Sequence, residues 1–186
     1  MIDTTNINTK GAVVTVAGVA VSATSPDGDG FYWGTISGHD IGCTVGGVQV
    51  SYTYETQDIF CDQSLAAVET AIISEAAEVT FSMLETDVEN LQYALQTATY
   101  LENANVDQKI GVGGSTLLVY IPLKLEIADN DTENLTTWTF HRCLANGFNI
   151  NFERENPSQA DVTFTAYAKT AYTVGHQLFS IHADIS

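Results

Sequence analysis

Basic residues are what this 186-residue chain has least of. It carries six Lys and Arg against 23 Asp and Glu, a formal net charge of −17. Affinity for nucleic-acid phosphates needs clustered Lys and Arg that displace counterions, so direct binding to a polyanion is excluded as a main activity. Charged residues of both signs total only 16%. Two readings fit that low figure: much of the surface is covered in an assembly, or it is a Thr-rich β surface. The three cysteines, Cys43, Cys61 and Cys143, are odd in number and show no metal-ligand spacing. They read as buried free thiols in a reducing compartment. No run approaches the roughly 20 apolar residues of a membrane-spanning helix. Gly11–Ala23 is apolar, but it follows Asp3 and a single Lys10 and alternates Val with Thr, which suits a strand and not a secretory leader. With 45% hydrophobic residues the chain can bury a sizeable core, and one domain over 1–186 is the simplest count.

What is present is organised around Glu75–Thr99. Ala77, Val79, Phe81 and Met83 alternate with Glu78, Thr80 and Ser82, the period of a half-buried strand. At Thr86 the period changes. Val88, Leu91, Leu95 and Ala98 recur on one stripe of a helix. Thr86 and Glu89 have capping-box spacing, and Asp87 and Glu89 suit the positive end of the helix dipole. Nearly all the rest reads as strand and turn, so this helix is expected to close the open side of a β-core.

In chain order, polar Met1–Lys10 reads as an arm ordered only against a partner. Gly11–Ser22 and Phe31–Ile36 read as strands, with Ser25–Gly30 and Ser37–Asp40 as turns. Thr44–Glu55 is a long strand in which Gly46–Gly47 marks a bulge or bend. Ile59–Cys61 is a brief apolar segment before the Asp62-Gln63-Ser64 turn, and Val68–Glu85 contains the strand before the helix. Asn103–Ser115, with its glycines, reads as a loop. Thr116–Ala128 reads as an apolar strand broken by Pro122, followed by an acidic turn over Asp129–Asn134. Trp138, Phe140, Arg142 and Leu144 alternate on a strand. Asn146-Gly147 is a two-residue hairpin signal, with Phe148, Ile150 and Phe152 alternating beyond it. Val162–Ala168 is a last regular strand, and Phe179–Ile185 an edge strand or a second arm.

No constellation supports catalysis or a cofactor. Asp129, Asp131 and Glu133 begin like a calcium loop, but Asn134 and Phe140 stand where Gly and the closing Glu belong. Asp27–Gly30 is a turn. Gly111–Gly114 lacks the Lys and Ser/Thr of a phosphate loop. His39, His141, His176 and His182 are scattered, and His141 reads as a satisfied strand residue. Asn134-Leu135-Thr136 matches a glycosylation sequon, with no secretion signal to give it meaning. Nothing resembles an activated nucleophile and its base, so the chain is not expected to be an enzyme.

An ordered series of short matches carries a resemblance. Tyr32-Trp33-Gly34, Gly46–Tyr52, Asp62-Gln63-Ser64, Ala77–Leu84 and Glu85–Leu91 follow one another as in the major tail tube proteins of long-tailed, non-contractile bacteriophages. Trp138–Leu144, Asn146-Gly147 and Asp161–Ala168 resemble that family's closing strands. The resemblance spans about Phe31–Lys169. The start before Phe31 and the tail after Thr170 depart from it.

The resemblance implies a β-sandwich or partly closed barrel with one flanking helix. It implies hexameric rings of this chain stacked into a tube in the virion tail, through which duplex DNA passes without specific binding. It also implies tape-measure, tail-terminator and tail-tip proteins as partners. Assembly would take place in the host cytoplasm, with no membrane or cofactor. A tail-terminator or tail-tip ring protein, or a type VI secretion-like tube subunit, is the alternative. A strongly anionic channel would repel passing phosphates, which agrees with the composition. Glu55, Asp58, Glu75 and Glu78 are the candidate lumen-facing carboxylates. Met1–Lys10, Thr170–Ser186 and Thr24–Asp40 are the candidate segments joining ring to ring.

Overall fold

The computed structural model describes residues 12–16, 39–62, 66–96, 99–103, 107–114, 118–128, 135–152, 158–172 and 174–183. Ten strands and one helix lie within them: β1 (Ala12–Val16), β2 (His39–Asp40), β3 (Thr44–Ile59), β4 (Glu69–Met83), α1 (Val88–Ala94), β5 (Thr99–Asn103), β6 (Asp107–Gly111), β7 (Ile121–Ala128), β8 (Leu135–Asn151), β9 (Gln159–Ala166) and β10 (Phe179–Ala183). The protein is mainly β, with antiparallel pairing throughout and one helix on the flank.

Eight strands form one sheet in the order β2-β1-β7-β8-β9-β4-β3, with β10 paired to β8; β5 and β6 make a separate hairpin. The sheet encloses a single core. Val14 and Val16 of β1, Leu123 and Leu125 of β7, Phe140 and Cys143 of β8, Val162 and Phe164 of β9, and Val79 and Phe81 of β4 are buried in one cluster. Strands from near opposite ends of the order share that cluster, so the sheet curls around it. The Phe81 and Phe164 rings stack at its centre, 5.8 Å apart.

The 17-residue β8 makes the curl possible because it switches partners midway. Leu135–Phe140 lies between β7 and β10, whereas Cys143–Asn151 pairs with β9. Two irregularities interrupt it. Ile121 pairs with Cys143 but Leu123 with Phe140, so His141 and Arg142 together oppose Pro122. Ala145 pairs with Phe164 but Phe148 with Val162, so Asn146 and Gly147 together oppose Thr163. Each extra residue inverts which side chains face inward. The inward set therefore runs Trp138 and Phe140, then Cys143 and Ala145, then Phe148 and Ile150.

Several expectations are corrected here. Asn146-Gly147 is not a hairpin turn: it sits inside β8 as a bulge, with Gly147 at φ 91°. The simple alternation through Arg142 and Leu144 fails for the same reason, and Phe152 ends up exposed. Pro122 does not break β7; its missing N–H falls where the ladder is already irregular. The segment after the helix, expected as a loop, contains the β5–β6 hairpin. The helix is shorter than its stripe suggested: Leu95 is the C-cap and Ala98 falls outside the described residues. Its N-cap is Asp87, whose side chain accepts from the Asn90 N–H at 2.8 Å, and not Thr86. Asp87 takes the Asn90 N–H, so the cap lies one residue later than the Thr86–Glu89 box placed it. Only Cys143 is a buried thiol; Cys43 and Cys61 are exposed.

The helix does flank the core. Asn90, 2% exposed, donates to the carbonyls of Ile41 and Glu85, and Ala94 joins the core cluster. Gln96 Oε1 accepts from the Ala145 N–H at 2.9 Å, closing an edge of β8. Phe179–Ala183 is the edge strand of its two alternatives. The Gly46–Gly47 irregularity is present, with both residues at positive φ. Met1–Lys10, Phe31–Ile36 and Asp129–Asn134 lie outside the described residues.

Candidate assembly surfaces

The β3–β4 pair divides into two regions. From Thr44 to Val50, β3 lies against the part of β4 that is itself backed by β9, since β9 pairs with β4 only over Ala77–Met83. Beyond that limit, which β3 reaches at Tyr52, the two strands continue as a ribbon with no third strand among the described residues, Thr53–Ile59 against Glu69–Ala76. At the usual strand rise, seven or eight residues extend roughly 25 Å. Every described residue from Ser51 to Asp62 is exposed, and so is every one from Ala66 to Ala76 except half-buried Ala71.

The ribbon is apolar as well as exposed. Tyr52, Tyr54, Ile59, Phe60, Val68, Ile72 and Ile73 all present their side chains to solvent, Phe60 at 64% and both isoleucines at 58%. A two-stranded ribbon with both faces wet is marginal in water. The β3 edge away from β4 also has no partner strand among the described residues.

The four candidate carboxylates sit on or beside this ribbon and are split between its faces. Register fixes the division. Tyr52 opposes the core residue Ala77, so Tyr54, Glu75 and Asp58 share the core-side face; Ser51 opposes Glu78, so Glu78 and Glu55 share the other. Each has a cross-strand partner or neighbour. Glu75 accepts from the Tyr52 hydroxyl at 2.7 Å, Asp58 from Thr70 at 2.8 Å and Glu55 from Ser74 at 3.1 Å. The Glu75 bond raises the Tyr52 pKa above its ordinary value. The four therefore do not line one surface together.

The face bearing Glu55 and Glu78 continues across the sheet as a polar surface. Thr80 bonds Thr163 at 3.1 Å, Ser82 bonds Asp161, and Asn146 bonds Thr165 at 3.0 Å. At its end Arg142 lies 3.8 Å over the Tyr120 ring, which meets Tyr167 edge-on. On the opposite side, a groove of about 800 Å³ runs between the ribbon base and the returning C-terminal segment. Tyr52, Glu75, Tyr167, His176 and Phe179 are among its lining residues. Phe179 packs against Tyr52, Trp138 and Phe140, tying β10 to the ribbon base.

Among the described residues, no group of three or more His, Cys, Asp or Glu side chains converges as metal ligands, and no helix is long and apolar enough to cross a membrane. Sequence reasoning found the acids but missed the ribbon. Its signal was the exposed-type mixture of Tyr, Ile and Glu continuing past the point where β9 ends.

The fold and surfaces define a class: a mainly antiparallel β protein with one flanking helix, an exposed apolar ribbon and a β3 edge with no partner strand among the described residues. No family model and no curated protein matches the chain. Among solved structures, it is similar to the tail of an empty GTA particle with C6 symmetry, at 7% identity and TM-score 0.46. That match covers 96% of this chain and 99% of the other. It is likewise similar to a chain in the virion of a native gene transfer agent particle, at 7% identity, TM-score 0.45 and the same coverage.

Proposed function

We propose that this protein is a structural subunit of a phage-type tail, and specifically of its tube. Copies join edge to edge into hexameric rings, and the rings stack around a channel for duplex DNA. The observation that carries this reading is the ribbon: an extended two-stranded element, exposed on both faces, with seven large apolar side chains on or beside it and no partner strand along β3 among the described residues. Covering a half-exposed Tyr or Ile is worth roughly 1 kcal/mol, so several per contact stabilise a subunit interface and the ribbon with it. An unpaired β edge supplies backbone donors and acceptors for sheet extension from one copy to the next. The sequence resemblance to tail tube proteins favours the tube in particular, and with it tape-measure, terminator and tip proteins as further contacts in the virion.

The channel lining is the polar sheet face, so Glu55 and Glu78 are lumen groups while Glu75 and Asp58 face the neighbouring packing. Its Thr, Ser and Asn side chains are already bonded to one another, which leaves little for a passing duplex to hold. Its carboxylates repel phosphate.

Electron microscopy of the purified protein over a concentration series tests the assembly. Rings and tubes are expected; a monomer at every concentration, with no tubes in the presence of tail partners, overturns it. Paired substitution of Glu55 and Glu78 by Lys should leave tubes intact and slow DNA ejection. Unaltered ejection rules out this face as the lining.

A further inference from the structure

The segment after β9 folds back over β8 and is held there by one unusual group. The His141 ring is 8% exposed, and its Nε2 is buried without a hydrogen-bond partner among the described residues. Its ring meets the Tyr172 ring edge-on at 4.6 Å, and its backbone N–H donates to the Leu178 carbonyl. Lys169 Nζ donates to the Tyr172 hydroxyl at 3.0 Å and lies over the same ring, and Gln177 Nε2 donates to the Tyr172 carbonyl. The Lys169 N–H reaches the Gln177 carbonyl, closing the segment on itself. This segment walls the groove and leads directly into β10.

We propose that Lys169–Ala183 is an acid-released strap whose latch is the buried imidazole of His141. The charged groups that act on that imidazole from the strap are Lys169 and His176, and both oppose a second positive charge. Arg142, next along β8, is turned to the opposite face over Tyr120. A proton at the buried Nε2 of His141 therefore meets no acceptor among the described residues, and it is repelled by Lys169 and His176. Lifting Tyr172 and Lys169 away hydrates the imidazolium, opens the groove and loosens β10 from Phe140 and Trp138. This device stands on the strap alone and does not depend on tube formation.

Burial, then Lys169, then His176 lower the His141 pKa from 6.5 to about 4. With the ordinary value restored when the strap is open, the opening equilibrium rises about twentyfold between pH 7 and pH 5. Amide hydrogen exchange on the full chain reads this, after correction for intrinsic exchange rates. The expected result is about a twentyfold loss of protection across 169–183, in amides that exchange more readily at both pH values than those of β4 and β9. His141→Phe keeps the aromatic contact and cannot titrate, so its strap should be flat with pH. Lys169→Met removes one opposing cation and should reduce the rise. An unchanged strap in the parent protein, or an equal loss in His141→Phe, overturns the proposal. Should His141→Phe not fold, an undiminished rise in Lys169→Met overturns it instead.

Discussion

The two regions of the β3–β4 pair have the same backbone pairing and opposite surroundings. In the inner region, Val79, Phe81 and Met83 are at most 2% exposed; in the outer region, Ile72 and Ile73 stand open to solvent. Both are long, both hold several apolar groups, and each carries one register irregularity, at Val45/Val48 and at Glu55/Thr56. What differs is the third strand: β9 backs β4 as far as Ala77 and no farther. Strand propensity and alternation thus describe the ladder, whereas burial is set by what lies across it. A region that is strand-like and apolar yet exposed is the surface that the proposed assembly would cover.

Substitutions separate the two regions, the largest effect first. Phe81→Ala removes a stacked ring from a closed core and should cost about 3–5 kcal/mol in urea or thermal unfolding. A loss below about 1 kcal/mol would mean that the inner region is not the core. Acid comes next. The His141 pKa is depressed to about 4 in the folded chain against an ordinary 6.5. Its contribution is therefore full above pH 6.5, declines as pH falls and is gone below about pH 4. The decline is up to about 3 kcal/mol, and a stability–pH curve of His141→Phe should lack it. Asp87→Ala removes the helix cap and should cost about 1 kcal/mol, while Thr86→Ala should cost less. The smallest effect on folding belongs to the outer ribbon. Ile72→Asp should change monomer stability by less than about 0.5 kcal/mol and yet stop tube formation in electron micrographs. A large folding defect there would erase the distinction between the regions.

Much of the ladder was legible in the sequence. Alternation identified β4 and most of β3, and paired glycines marked the irregularity at Gly46–Gly47. Local sequence could not show the partners. Asn146-Gly147 has the chemistry of a hairpin turn, but β9 pairs on both sides of it and holds β8 straight through as a bulge. The parity of β8 was unreadable because two extra residues, one opposite Pro122 and one opposite Thr163, twice invert its inward face. The helix stripe ran too far because Leu91 and Leu95 continue a period that the backbone abandons at Leu95. Asp87 outcompeted Thr86 for a role both side chains can fill. The four acids were read from the sequence as lumen-facing candidates; all four are exposed, and their division between faces depends on register, which a single strand does not reveal.

Between Thr44 and Met83 the chain has six carboxylates and no Lys, Arg or His. Elsewhere Lys124 is paired with Glu126 at 3.0 Å, Arg142 is stacked on Tyr120 and Lys169 is bonded to Tyr172. A ribbon arriving at another copy therefore brings like charge and meets few available cations. Added electrolyte shortens the reach of that repulsion to about 10 Å at 0.1 M and about 3 Å at 1 M. Growth of the polymer should accordingly quicken with ionic strength, the reverse of an interface built on opposite charges.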